Sequence, residues 1–189
     1  VMLDDVRAHL RDHFAGAAPD SASVTFLGAE PIEVLRFRSA GLTHYATLGC
    51  SRHPMTDPTE IVTDETGPRA EVVLRLRDPG PVTGLVRSLA IVAATPSVEG
   101  IVLVPDALID LGAPLWMGAP FTAMLLGTSD IGDLALDPPR DPVRFLSATP
   151  VTATEAAWVR LKGAEAMRQA WQHDGVDVSD PNRPAAQPH

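Results

Sequence analysis

The chain has one cysteine, Cys50, so it can form no disulfide within itself and no cysteine-rich zinc cage. It has one lysine, Lys162; the other basic residues are arginines, and 15 bases against 24 acids give a formal net charge of −9. Nucleic-acid binding is driven by clustered cations that displace counterions, so this balance argues against a nucleic-acid partner. Aromatic residues are 5% of the chain although 45% is hydrophobic, which leaves Ala, Val, Leu and Ile to build the core. No apolar run approaches the ~18 residues of a membrane-spanning helix. The start, Val1-Met2-Leu3-Asp4-Asp5, is acidic where an export signal opens on basic residues. The expectation is a cytoplasmic protein with neither membrane nor nucleic acid as its partner.

What is present is enough chain for one domain: 189 residues can bury a core without metal or disulfide staples. The domain is expected over residues 1–174. The Pro-rich, polar residues 175–189 carry too little apolar surface to offset the entropy of ordering, and read as a flexible C-terminal tail. Leu3, Val6, Leu10 and Phe14 recur at helical spacing and predict a helix over residues 3–15. Strands are expected over residues 23–27, 32–38, 42–48 and 71–77, the first three separated by the turn residues Gly28, Pro31 and Gly41. A helix opening near Pro81 and stopped by Pro96 follows, then strand candidates at residues 101–104, 121–126 and 143–148. Thr152-Ala153-Thr154-Glu155 has the spacing of a capping box and starts a helix to about His173, divided or kinked at Gly163. Strands clustered between an early, a middle and a late helix predict an α+β domain, a mixed and largely antiparallel sheet with helices packed against it.

Reactive residues gather in one place. His44, Cys50, Ser51 and His53 would make a nucleophile-and-base pair if brought together. However, His44 shares a strand face with Leu42, Ala46 and Leu48, which favours a core histidine. Gly49-Cys50-Ser51 also lacks the Gly-x-Ser-x-Gly elbow that raises a nucleophile on a strained turn. His9 and His13 stand four residues apart, a chelating spacing, but Leu10 occupies the place of the metalloprotease glutamate and no Cys pair completes a shell. Lys162 closes no phosphate-cradling glycine loop, and Asp130, Asp133 and Asp137 fit no calcium-loop pattern. No catalytic residue, metal or cofactor is expected. Leu115-Trp116-Met117, between two Gly-Ala-Pro turns, either folds back to cap the core or stands out as an anchor for a partner. Arg52 and His53 join these three as candidate partner-binding residues.

In order and spacing, several segments resemble the Suppressor of fused domain family, in its bacterial single-domain form. They are His44-Tyr45 with Gly49 and Ser51, the strand at residues 71–77, Leu89-Ala90, and Met124-Leu125-Leu126. Val143-Arg144-Phe145-Leu146, Pro150, and then Thr152, Glu155, Gly163 and Ala164 complete the set. The resemblance spans about residues 30–172. It implies a mixed α/β domain without enzymatic activity. Animal members add a second domain and clamp a transcription-factor peptide between the two; a chain of 189 residues is expected to leave no room for the second half of that clamp. Val92 and Ile101 stand where animal members place an aromatic residue and an acid in the peptide groove. Bacterial members, by the same resemblance, act as immunity proteins that neutralise toxins by binding them. The leading expectation is thus a protein-binding domain, with a basic toxin domain as the partner an acidic surface would attract. A hydrolase using the His44–His53 segment and a regulatory scaffold remain the alternatives.

Overall fold

Leu3, Val6, Leu10 and Phe14 form the inner face of α1 (Met2–His13 and the turn after it), with Val6 and Leu10 fully buried. The computed structural model describes residues 2–16, 18–56 and 65–186. After α1 come β1 (Asp20–Val24), β2 (Ile32–Ser39), β3 (Leu42–Leu48), a single 3-10 turn (Cys50–Arg52) and β4 (Arg69–Arg77). Next are α2 (Leu85–Glu99), β5 (Leu108–Asp110), β6 (Phe121–Thr128), β7 (Val143–Thr152), α3 (Ala153–Lys162) and α4 (Ala164–His173). The strands form one seven-stranded sheet in the order β1-β2-β3-β4-β7-β6-β5. Every neighbouring pair is antiparallel except β4 and β7, which run parallel.

Side chains alternate across a strand, so each strand feeds two cores. On one face Val34, Tyr45, Val72, Leu74, Met124 and Leu126 pack against α2 and the loop that follows it. On the other, α1 covers Leu35, Phe37, Ala46, Leu48 and Phe145 at one end. At the far end α3 and α4 cover Ala123, Leu125 and Val151. Among the described residues, nothing covers the middle of this second face between the two helical caps.

Pro96 does not end α2, which continues to Glu99. A proline lacks the N–H that would bond the carbonyl four residues back. Here that carbonyl, of Val92, accepts instead from the Thr95 hydroxyl at 2.7 Å. The helix closes at Gly100, in a left-handed conformation, whose N–H reaches the Pro96 carbonyl. Its start also differs from expectation, at Leu85 after Gly84. The first strand is β1 at Asp20–Val24, not residues 23–27, and residues 101–104 form no strand; the short β5 follows instead. The capping box is present in both directions, Glu155 N–H to Thr152 Oγ1 and Thr152 N–H to Glu155 Oε1. Gly163 does divide the last helical stretch.

The flexible tail expected from residue 175 gives way to a packed strap over residues 176–186. Ser179, Arg183 and Ala186 are buried in it. Arg183 forms a two-pronged pair with Glu155, both contacts 2.9 Å, and lies against the rings of Phe121 and Trp171. At the near end, the Arg77 N–H donates to the Ser179 carbonyl at 2.8 Å, and Arg77 Nε pairs with Asp177. Low hydrophobicity misled the sequence reading because the strap is anchored by buried polar bonds. Among the described residues no helix is long and apolar enough to cross a membrane.

Candidate functional site

The turn after β3 is built around a glycine. Gly49 has φ +144, and a Cβ there would come within 3.1 Å of the Pro31 carbonyl oxygen, so a side chain is disfavoured by backbone strain and by crowding. The 3-10 turn it opens is clamped from both sides by β4. Glu71, fully buried, accepts from the N–H groups of Gly49, Cys50 and Ser51 and from the hydroxyls of Thr47 and Ser51, at 2.5–3.2 Å. Two residues earlier, buried Arg69 donates to the carbonyls of Ser51 and Arg52 at 2.9 and 2.8 Å and to that of Glu65. One carboxylate thus takes the donors of the turn and one guanidinium its acceptors. Burial pushes the Glu71 carboxyl above its ordinary value against the pull of these donors. Burial and nearby Arg140 hold the Arg69 guanidinium below its own.

This clamp takes the proposed nucleophile apart. The Cys50 thiol is buried, and burial beside Glu71 pushes it well above the usual thiol range. The Ser51 hydroxyl donates inward to Glu71. His53 points outward and meets Glu30 at 2.7 Å. His44 lies elsewhere, half-buried against the Phe14 ring at 4.7 Å, and makes no hydrogen bond among the described residues. Burial, then Arg75, hold its imidazole below the ordinary histidine value. No nucleophile and base meet among these four side chains. His9 and His13 both turn to the β6–β7 connection: His9 Nε2 is 2.6 Å from the Gly132 carbonyl oxygen and His13 Nε2 is 4.0 Å from Asp130.

Of the five candidate partner-binding residues, the structure brings two together. Arg52 and His53 both reach Glu30, at 3.3 and 2.7 Å, and Arg52 also donates to the Pro31 carbonyl. Leu27, three residues before Glu30 in the β1–β2 turn, is fully exposed. Leu115 and Trp116 are buried in the α2 core, Trp116 against Phe121 at 5.5 Å. The Ser88 hydroxyl holds the Leu115 carbonyl at 2.7 Å, fixing this loop to α2. A buried Trp116 cannot act as an exposed anchor; Met117, 78% exposed, is the outward residue of the three. Glu71, Arg69 and Arg183 escaped the sequence reading as determinants, since alternation along a strand and a proline-rich end give no sign of a buried charge.

The uncovered middle of the second sheet face forms a cleft of about 400 Å³. Val73 and Arg75 of β4 and Ser147 and Thr149 of β7 lie on it, with His13, Phe14, His44, Asp130 and the strap residues Val178 and Ser179 around them. It opens where the parallel pair ends. Pairing stops at Val73 and Ser147, although β4 runs on to Arg77 and β7 to Thr152.

The sequence profile described as Suppressor of fused protein (SUFU) matches residues 28–184. The chain belongs to the Suppressor of fused family. Solved structures share its fold. A protein described as a SUFU homolog from Neisseria gonorrhoeae superposes with a TM-score of 0.70 at 16% identity, covering 96% of this chain and 94% of that one. The structure of the Sufu–Fu complex gives 0.72 at 17% identity, covering 97% and 91%. Drosophila Suppressor of Fused gives 0.71 at 14% identity, covering 97% of this chain and 50% of the fly protein. Among curated proteins, none matches the chain by sequence. The match extends past the expected boundary at residue 174 and takes in most of the strap. Val92, at the position where the resemblance puts a groove aromatic, is fully buried in α2, and Ile101 packs partly buried against the same core.

Proposed function

We propose that this chain is a non-enzymatic, cytoplasmic protein-binding domain of the immunity type, which neutralises a basic toxin by binding it. The observation that carries the reading is the wiring of the Gly49–His53 segment. Its nucleophile candidates are bonded inward to Glu71, while Arg52, His53 and Glu30 stand on a turn held rigid from both ends. A rigid turn loses little entropy when a partner docks, which favours recognition over chemistry. The exposed Leu27 beside Glu30 adds an apolar contact to this charged surface. A relative solved as the Sufu–Fu complex supports a binding role for the fold. The net charge of −9 selects a basic partner.

The test is capture of partners from a lysate of the cells that make the protein, with wild type beside a Leu27→Ser, Arg52→Gln variant, which removes the contacts without adding negative charge. The expected result is a basic polypeptide held by the wild type and lost or weakened at least about tenfold by the variant. Adding the wild-type protein should suppress that polypeptide's toxicity. A captured partner without toxicity would favour the regulatory scaffold. Recovery of no specific partner, even at low salt, would sink the binding role itself.

A further inference from the structure

We propose that the cleft between α1 and α3–α4 is a binding site for a small organic acid, its carboxylate held by Arg75 and its apolar body lying against the half-buried Phe14 and Val178. The site is independent of the Arg52–His53 surface. Its position is the first ground. β4 and β7 are the parallel pair of the sheet, and the cleft lies where their pairing ceases toward their carboxyl ends. Two neighbouring strands that part in this way leave a gap in the sheet face where a ligand can lie. Here the gap is kept open because Ser179, not a continued β7, takes the Arg77 N–H.

The donor set is the second ground. In a chain rich in acids, Arg7, Arg36, Arg77, Arg160, Arg168 and Arg183 each meet a carboxylate. Arg75 meets none among the described residues; the same holds for Arg11, Arg38, Arg87, Arg140 and Arg144, but of these six it alone lines the cleft, where it makes no hydrogen bond. The hydroxyls of Ser147 and Thr149 beside it are likewise without partners there. One guanidinium and two hydroxyls are therefore left with donors to spare, and His13 and His44 stand at the same opening. Asp130 is the acid at the rim; it faces His13 and is 89% exposed. A planar two-oxygen acceptor suits the fork of a lone arginine. A phosphate dianion suits it less, since one arginine leaves its second charge unanswered with Asp130 nearby. The volume, about 400 Å³, falls within the range of small-molecule sites, and the lining mixes polar and apolar side chains.

The experiment titrates the full chain with hexanoate and benzoate, following backbone amides and the Arg75 Nε–H by NMR. Hexanamide, benzamide and inorganic phosphate are run in parallel. Saturable shifts confined to the cleft, given by the acids and not by the amides or phosphate, are expected. Arg75→Gln, at an exposed position that leaves both cores intact, should weaken binding at least about tenfold. Arg38→Gln, outside the cleft, should leave it unchanged. No saturable shift up to about 10 mM ligand would overturn the proposal, as would equal response to the amides, preference for phosphate, or undiminished binding by Arg75→Gln. Partner capture by the Arg52–His53 surface is a separate readout, so failure of either leaves the other standing.

Discussion

Glu71 and Glu155 are both fully buried carboxylates, yet their surroundings move them in opposite directions. Burial raises each. At Glu155 the Arg183 guanidinium, with bonds from Thr152, Trp171 and Ala186, outweighs burial and lowers it. Glu71 has five donors but no cation in contact among the described residues, since Arg69 is held on the carbonyl side of the same turn, and burial prevails. Glu71→Gln keeps the shape but sets an NH2 group against at least two donors. Unmet donors and lost charge-assisted bonds should cost about 2–3 kcal/mol in urea unfolding at neutral pH. Because the folded value of Glu71 is raised, its favourable contribution is complete below the unfolded value of about 4.3 and declines as pH rises through the folded one. The deficit of the variant should therefore be largest in acid and narrow upward; a deficit that grows with pH would refute this account. Cys50 gives a second residue-scale outcome. A thiol raised by burial should resist a neutral-pH labelling reagent until the chain unfolds. Rapid labelling of the native protein would reopen the enzyme reading.

The elements show why some of this structure is legible in sequence and some is not. β2, β3, β4 and β7 each bury both faces or a regular alternation, and α1 carries a plain apolar stripe, so period and burial agree. The edge strand β1 is exposed along most of its length, so nothing in its composition sets its limits. β5 has three residues and is defined by pairing with β6. Pro96 misleads because its loss is repaired by a neighbour's hydroxyl, a tertiary detail of one helix. The strap is the largest omission, as its anchor joins Arg183 to a glutamate 28 residues away. Removing one member of such a buried pair leaves the other uncompensated, so Arg183→Met should cost about 3–5 kcal/mol. The double variant Arg183→Met, Glu155→Leu should recover much of that loss. Glu155, lowered in the fold, contributes stability above about pH 4.3 that is lost as pH falls through its folded value. Asp177 follows the same sign: the Ser179 hydroxyl and Arg77 hold it down to about 2. Protection of the Arg77 amide against hydrogen exchange should thus fall as pH drops from about 4 toward 2. Unchanged protection would mean that the strap is held by its apolar contacts alone.

For the whole molecule, charge is distributed by the fold and not by the chain order. Asp4, Asp5 and Asp12 lie on or beside α1, and the β6–β7 connection carries Asp130, Asp133, Asp137 and Asp141. Ile131, Leu134 and Leu136 pack that connection into the core under α1, bringing both acidic stretches to one end of the second face. Arg7, Arg11 and Arg140 are the bases among them, and Arg7 is engaged by Glu33. This end therefore holds a net negative field, while Leu27 and the Arg52–His53 surface are of mixed character. Steering by such a field raises association rates without adding bonds to the final complex. With a basic partner in hand, association should slow at least several-fold between low and physiological salt, with dissociation nearly unchanged. Neutralising Asp133 and Asp137 to Asn should reproduce part of that slowing at low salt and flatten the salt dependence. If the two substitutions instead speed dissociation, the acidic end is part of the interface itself. Salt-independent association would remove electrostatic attraction, and with it the reason for expecting the partner to be basic.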